Sequence, residues 1–349
     1  MKTIIGPHYY CQIKIRSKKI LIFGEIHEKI EEFSCDPKNA DEALDIFLKT
    51  FKRNNKSAYL NYFKEKSKCL WFHDWLLSLS HMNIDVFMEQ IEEGSAIITD
   101  NFIGDVNKTS AMERTQYFFG ICSPPERDVQ FEDIRDKYSI LKLNPEERVE
   151  NKRLCAELFP NIRYHASDLR TDLLLASISI SPFKNYSLKN INTTFRKYLY
   201  NLLNNEEIDL ALSGESYYFL EYINNLVYKQ YTKSSFYRKN IKNIVDISLS
   251  IRNPKADKND MFNLVVLLSD LYTIFRMFRV EWDLSKVQKY EGTNPKCGKY
   301  CENIIFFGGI AHSLFIRNFI LNYFSEAIEI SEIKKSIDEP FIDIEDIIF

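Results

Sequence analysis

The sequence predicts an α/β fold: a central, mainly parallel sheet flanked by helices, with an N-terminal hairpin and a large helical insertion. Three observations predict it. Short apolar runs alternate with stretches of helical periodicity through the first half of the chain. Residues 186–282 then carry helical periodicity with no strand-like run, and an apolar run closed by Gly308-Gly309 returns the chain to the strand pattern. Strand–helix–strand alternation implies right-handed crossovers between parallel strands.

Taken in order, Tyr10 to Ile15 alternate apolar and polar residues, the chain pauses at Ser17 to Lys19, and the run Ile20 to Phe23 resumes before Gly24, which reads as a hairpin. Asp36-Pro37 precedes a helical stripe of Ala43, Leu44, Phe47, Leu48 and Phe51. Leu70 to Leu79 reads as a second helix, leading into the buried-strand run Ile84 to Met88, which Glu89 and Gln90 close. Turn signals at Ser123-Pro124-Pro125 and Asn144-Pro145 precede a helix over Glu146 to Leu158 and a strand over Ile162 to Ala166. Asn303 to Phe307 is the next strand, followed by a helix from Ile310 to Tyr323 and a strand over Ala327 to Ile330. The runs Ile20–Phe23, Ile84–Met88, Ile162–Ala166 and Asn303–Phe307 are expected to be mutually parallel in one sheet. The chain is read as a single domain, with core 1–170 and 283–331, a helical insertion or cap 171–282, and a tail 332–349.

Composition narrows the classes. At 45% apolar residues, the 349-residue chain can bury a substantial core. Lys and Arg (46) nearly balance Asp and Glu (49), so no electrostatic drive toward nucleic acid or an anionic membrane is expected. The apolar window Phe262 to Val280 is broken by Asp270, Arg276 and Arg279 and reads as a buried helix, not a membrane span. Met1 to Tyr10 lacks the apolar run of ~7–15 residues a signal peptide needs, so a cytoplasmic location is expected. Seven irregularly spaced Cys fit reduced thiols there, and Cys297 with Cys301 lacks the second Cys/His pair of a zinc site. Richness in Lys, Asn and Ile fits an AT-rich genome, such as that of a large DNA virus or a protist.

The chemistry-bearing residues share one position. Gly24-Glu25-Ile26-His27, Glu89, His165 with Asp168 and Arg170, and Gly309-Ile310-Ala311-His312 all fall at the C-terminal ends of expected strands, the edge where open parallel sheets bind ligands. Two of the six His stand in the same Gly-x-x-His context. His312 falls in the first turn of a helix, where the positive dipole end disfavours imidazolium and leaves a neutral base or metal ligand. Glu25, His27, Glu89 and His312 are therefore the candidate catalytic set, with two routes open. His27, Glu89 and His312 hold a divalent metal ion such as Mn, Co or Zn, or the imidazoles and carboxylates activate water directly, with Glu25 the expected base. Arg170 and Arg276 are candidate substrate-binding residues, and His165 and Asp168 candidate supports behind them. His8 and His81 read as loop residues.

These segments resemble the erythromycin esterase/ChaN/TraB-TIKI superfamily. Gly24 to His27 resembles the first of its two Gly-x-x-His motifs and Gly309 to His312 the second, Glu89 the acidic strand end, and Asp168-Leu169-Arg170 a third strand end. The resemblance implies metal-dependent peptidase activity, ester hydrolysis or haem binding, depending on the branch. The Glu25-Ile26-His27 spelling is closest to the ChaN-like branch, whereas erythromycin esterases place one more residue between Glu and His. The expected function is hydrolysis of an ester or amide in a small-molecule or peptide substrate. Its alternatives are an inactive relative acting as an interaction or structural protein, and a carrier of haem or another small ligand.

Overall fold

Runs of Ile, Phe and Tyr form the strands because these side chains fit a pleated, buried surface. The computed structural model describes residues 3–26, 69–79, 81–91, 115, 159–168, 258–278, 302–336, 341–343 and 347. Among them the strands are β1 (Thr3–Ile5), β2 (Tyr9–Ile15), β3 (Lys18–Glu25), β4 (Cys69–Trp71), β5 (Ile84–Ile91), β6 (Ile162–Asp168), β7 (Asn303–Gly309), β8 (Ile328–Lys334) and β9 (Phe341–Asp343). The helices are α1 (Phe72–Ser78), α2 (Lys258–Met277) and α3 (Ile310–Tyr323). The helices expected over 36–51 and 146–158 lie outside the described residues. The chain divides into two compact units, Met1–Ala166 with Asp283–Phe349, and Ser167–Trp282. No helix among the described residues is long and apolar enough to cross a membrane.

The first unit is built on a mixed six-stranded sheet of order β6-β5-β7-β3-β2-β8. Its centre is parallel: β7 pairs with β3 from Lys19↔Asn303 to Glu25↔Gly309, and with β5 from Ile84↔Asn303 to Met88↔Phe307. Toward the other edge the sheet turns antiparallel, β2 against β3 and β8 against β2. The reason is local, since a two-residue hairpin loop at Arg16-Ser17 admits only antiparallel neighbours. Three of the four strands expected to be parallel are so, and β6 lies beside β5 at the sheet edge.

A smaller sheet, β4-β1-β9, corrects two expectations. Residues 69–71 do not open a helix that runs from Leu70 to Leu79. They pair in parallel with β1, and α1 begins at Phe72. The C-terminal segment is not a separate tail from residue 332, because 332–334 complete β8 and Phe341–Asp343 pairs antiparallel with β1. Both corrections have one cause: main-chain hydrogen bonds to distant residues outrank the local pattern.

Each face of the sheet has its own cover. α1 packs on the face that carries Phe23 and Phe307, with ring centroids 5.3 Å apart for Phe23–Phe72 and for Phe23–Trp75 and 4.3 Å for Phe72–Phe307. α3 packs on the opposite face, burying Ile316, Phe319 and Ile320. Its first turn sits directly on Gly24, where an added Cβ would lie 3.0 Å from the Ile310 Cα and 3.0 Å from the Ser313 Oγ. That hydroxyl donates to the Phe23 carbonyl at 2.8 Å, so neither neighbour is free to retreat. Gly24→Ala is therefore expected to cost ~1–3 kcal/mol through overpacking, read as a lowered denaturant midpoint.

Polar groups tie α3 to β2 and β8. Arg317 bonds Glu329 (2.6 Å), whose carboxylate accepts from the Cys11 thiol (3.5 Å), and the Tyr9 hydroxyl donates to Glu332 (3.1 Å). Burial, with the Glu329 charge added, pushes the Cys11 thiol up to about 12. Cys11 is a free thiol with no exposed surface, and it is expected to resist iodoacetamide at pH 8 in the folded protein and to react on denaturation. Mass spectrometry of the alkylated peptide checks this.

Candidate functional site

β7 ends in Phe306-Phe307-Gly308-Gly309, and both glycines position the chemistry. A Cβ on Gly308 would lie 2.6 Å from the Phe306 ring and 3.1 Å from Glu89 Oε2, so the Glu89 carboxylate needs a bare backbone to rest against. Gly309 is extended (φ −60°, ψ 151°) and caps α3, which makes His312 the third residue of the helix. Helical Cα–Cβ bonds tilt toward the N-terminus, and the imidazole reaches back to the carboxylate.

The result is a tight pair. Glu89 Oε2 accepts the Gly309 N–H at 2.7 Å, and Glu89 Oε1 lies 3.1 Å from His312 Nε2, with the two side chains 7% and 11% exposed respectively. With the carboxylate ionised and the ring neutral, this contact calls for the proton on His312 Nε2, which makes Nδ1 the basic position. A carboxylate that orients an imidazole in this way is the base–orienter arrangement of general-base catalysis.

Glu89 stands within β5, which runs on to Ile91, two residues short of the strand's end. The expected partner Glu25 is also buried, at 2% exposure, in register with Gly309. Strand alternation turns it with Phe23 toward the α1 face, while Gly308, beside Glu89, shares the face of Gly24 and α3. His27 and Arg170 lie outside the described residues. His8, read as a loop residue, is buried, and its Nδ1 accepts the Ile26 N–H at 3.3 Å, anchoring the main chain just after Glu25.

His165, with Asp168 a candidate support of the site, is engaged on β5: its Nε2 lies 2.9 Å from Asp85 Oδ1, and its ring stacks on Phe87 at 4.5 Å and 16°. Arg163 reaches the same carboxylate with two nitrogens, its Nη2 at 3.1 Å. Burial pushes the Asp85 carboxyl up, but hydrogen bonds and charge from His165 and Arg163 outweigh it and hold the group well below the usual carboxylate range. Asp85, Phe87 and Glu89 are alternate residues of one strand and face the same way. Asp85 was missed in the sequence; an acidic residue inside the apolar run Ile84 to Met88 was the available signal.

In the second unit Asp168 accepts the Ser269 hydroxyl at 3.0 Å, and Thr273 donates to the Ser167 carbonyl at 3.2 Å. Within that unit the polar side of α2 thus holds Ser167 and Asp168. Arg276 lies over the Tyr272 ring at 5.5 Å, a cation–π contact within the same helix.

Among the described residues no group of three His, Cys, Asp or Glu side chains is placed to hold a metal ion. No protein-family model, curated protein or solved structure matches this chain.

Proposed function

We propose that this protein is a hydrolase of the erythromycin esterase/ChaN/TIKI type, cleaving an ester or amide with a water activated at the Glu89–His312 pair. One observation carries the reading: a carboxylate from β5 and an imidazole from α3 meet at 3.1 Å on the edge where parallel strands deliver ligands. In this reading His312 Nδ1 takes the proton from water, Glu89 holds the ring, and His27 completes the set, while Glu25, on the opposite face of the sheet, takes no part. A divalent ion (Mn, Co or Zn) on Glu89, His312 and His27 would supply Lewis-acid polarisation of the carbonyl. The experiment is metal analysis of the purified protein, then hydrolysis assays on ester and peptide panels with and without chelator. Turnover that chelator removes selects the metal route, and turnover indifferent to chelator selects direct activation. Absence of turnover on every panel sinks the proposal.

A second reading is favoured by the low exposure of both side chains and by the Gly309 bond. There Glu89 stabilises the N-terminus of α3 and the protein is an inactive relative with an interaction role. Its mark is loss of stability, with no turnover to lose, when either residue is changed.

A further inference from the structure

A helix N-terminus at the C-terminal edge of a parallel sheet attracts anions through its unpaired amides and dipole. α3 has no side-chain cap and no acidic residue in its first turn. Its anion comes instead from β5: Glu89 Oε2 accepts the Gly309 N–H at 2.7 Å while Oε1 meets His312 Nε2 at 3.1 Å. Gly308 leaves the space this carboxylate occupies, since a Cβ there would stand 3.1 Å from Oε2. The Glu89 carboxylate thus takes the place at the start of α3 that a bound anion would occupy.

We infer that Glu89 is a specificity-determining residue: it fills the anion position at the start of α3, so the site takes an uncharged ester or amide and rejects phosphate esters and carboxylates. A second anion would meet a like charge at close range and would find the Gly309 N–H and His312 Nε2 already engaged. The substrate half of this inference rests on the hydrolase reading; the closure of the anion position does not.

The test uses inorganic phosphate and acetate as probes, with isothermal calorimetry and thermal denaturation of the full chain, Glu89→Ala and Glu89→Gln. The unaltered protein is expected to show no phosphate-dependent rise in melting temperature. Glu89→Ala is expected to bind phosphate ~10-fold or more tighter, and acetate should raise its melting temperature by standing in for the lost carboxylate. Glu89→Gln keeps an acceptor for the Gly309 N–H without the charge and should also bind phosphate more tightly than the unaltered protein. Equal phosphate affinity in all three proteins overturns the inference, as does failure of both folded variants to bind phosphate. If Glu89→Ala does not fold, Glu89→Gln decides alone, and unchanged affinity overturns it. None of these readouts needs turnover, so a missing hydrolase activity and an open anion position are told apart.

Discussion

Replacing His312 by Ala is expected to lower kcat for ester or amide hydrolysis by ~10²–10⁴-fold, the usual contribution of a positioned general base. The variant should keep its fold. Glu89 retains the Gly309 N–H at 2.7 Å and loses one charge-assisted partner, at a cost of ~1.5–3 kcal/mol. Glu89→Gln should lower kcat as well, because the amide no longer fixes which imidazole nitrogen carries the proton. Steady-state kinetics beside chemical denaturation separate the two effects. A His312→Ala protein that loses stability yet hydrolyses at the unaltered rate would falsify the hydrolase reading.

Asp85→Ala is expected to destabilise the first unit by ~3–5 kcal/mol, because it strands the Arg163 guanidinium, 11% exposed, beside His165 without their shared carboxylate. Replacing both partners by apolar residues, Asp85→Leu with Arg163→Met, should recover much of that loss, since the unpaired charge is then gone. The pH dependence has a definite sign. The folded Asp85 carboxyl titrates well below its unfolded value, so its contribution is fully present above about pH 4 and is lost as pH falls toward the folded value. The stability gap between the unaltered protein and Asp85→Asn should shrink steadily as the pH falls below about 4. A gap that stays flat to pH 2 would mean the carboxylate is not held by this network.

β3, β5 and β7 are legible in the sequence because each is an apolar run stopped by glycine or a carboxylate, and α3 because Gly309 precedes a clear apolar stripe. β1, β4 and β9 are not, because three residues are too few to show a period and their partners are far away in sequence. Within the candidate site, His312 is placed by the strand end and helix start around Gly309, whereas Glu89 lies inside β5, which runs two residues past it. The face of Glu25 follows only from counting alternation through Phe23 and Gly24 once α1 and α3 are assigned to opposite sides. Asp85 escaped for a related reason: its meaning comes from Arg163 and His165 on a neighbouring strand, and strand adjacency is not written in any local window.

The pairing of β2 with β8 and of β1 with β9 also sets an order of events during synthesis. β8 and β9 are made after β3, β5 and β7, yet they supply neighbours of the earlier strands β2 and β1. Until then the Tyr9–Ile15 strand has one row of amides and carbonyls unpaired by β8, the kind of edge that recruits other nascent chains. Closing loops of this length is slow, because the entropy of joining distant segments is spent before their contacts form. The bulge in β8, where Ile330 is skipped between Ile13↔Glu329 and Gln12↔Ser331, twists the finished border of the sheet away from regular pairing. The edge of β2 is thus open to mispairing until β8 is made and is covered once β8 has paired with it.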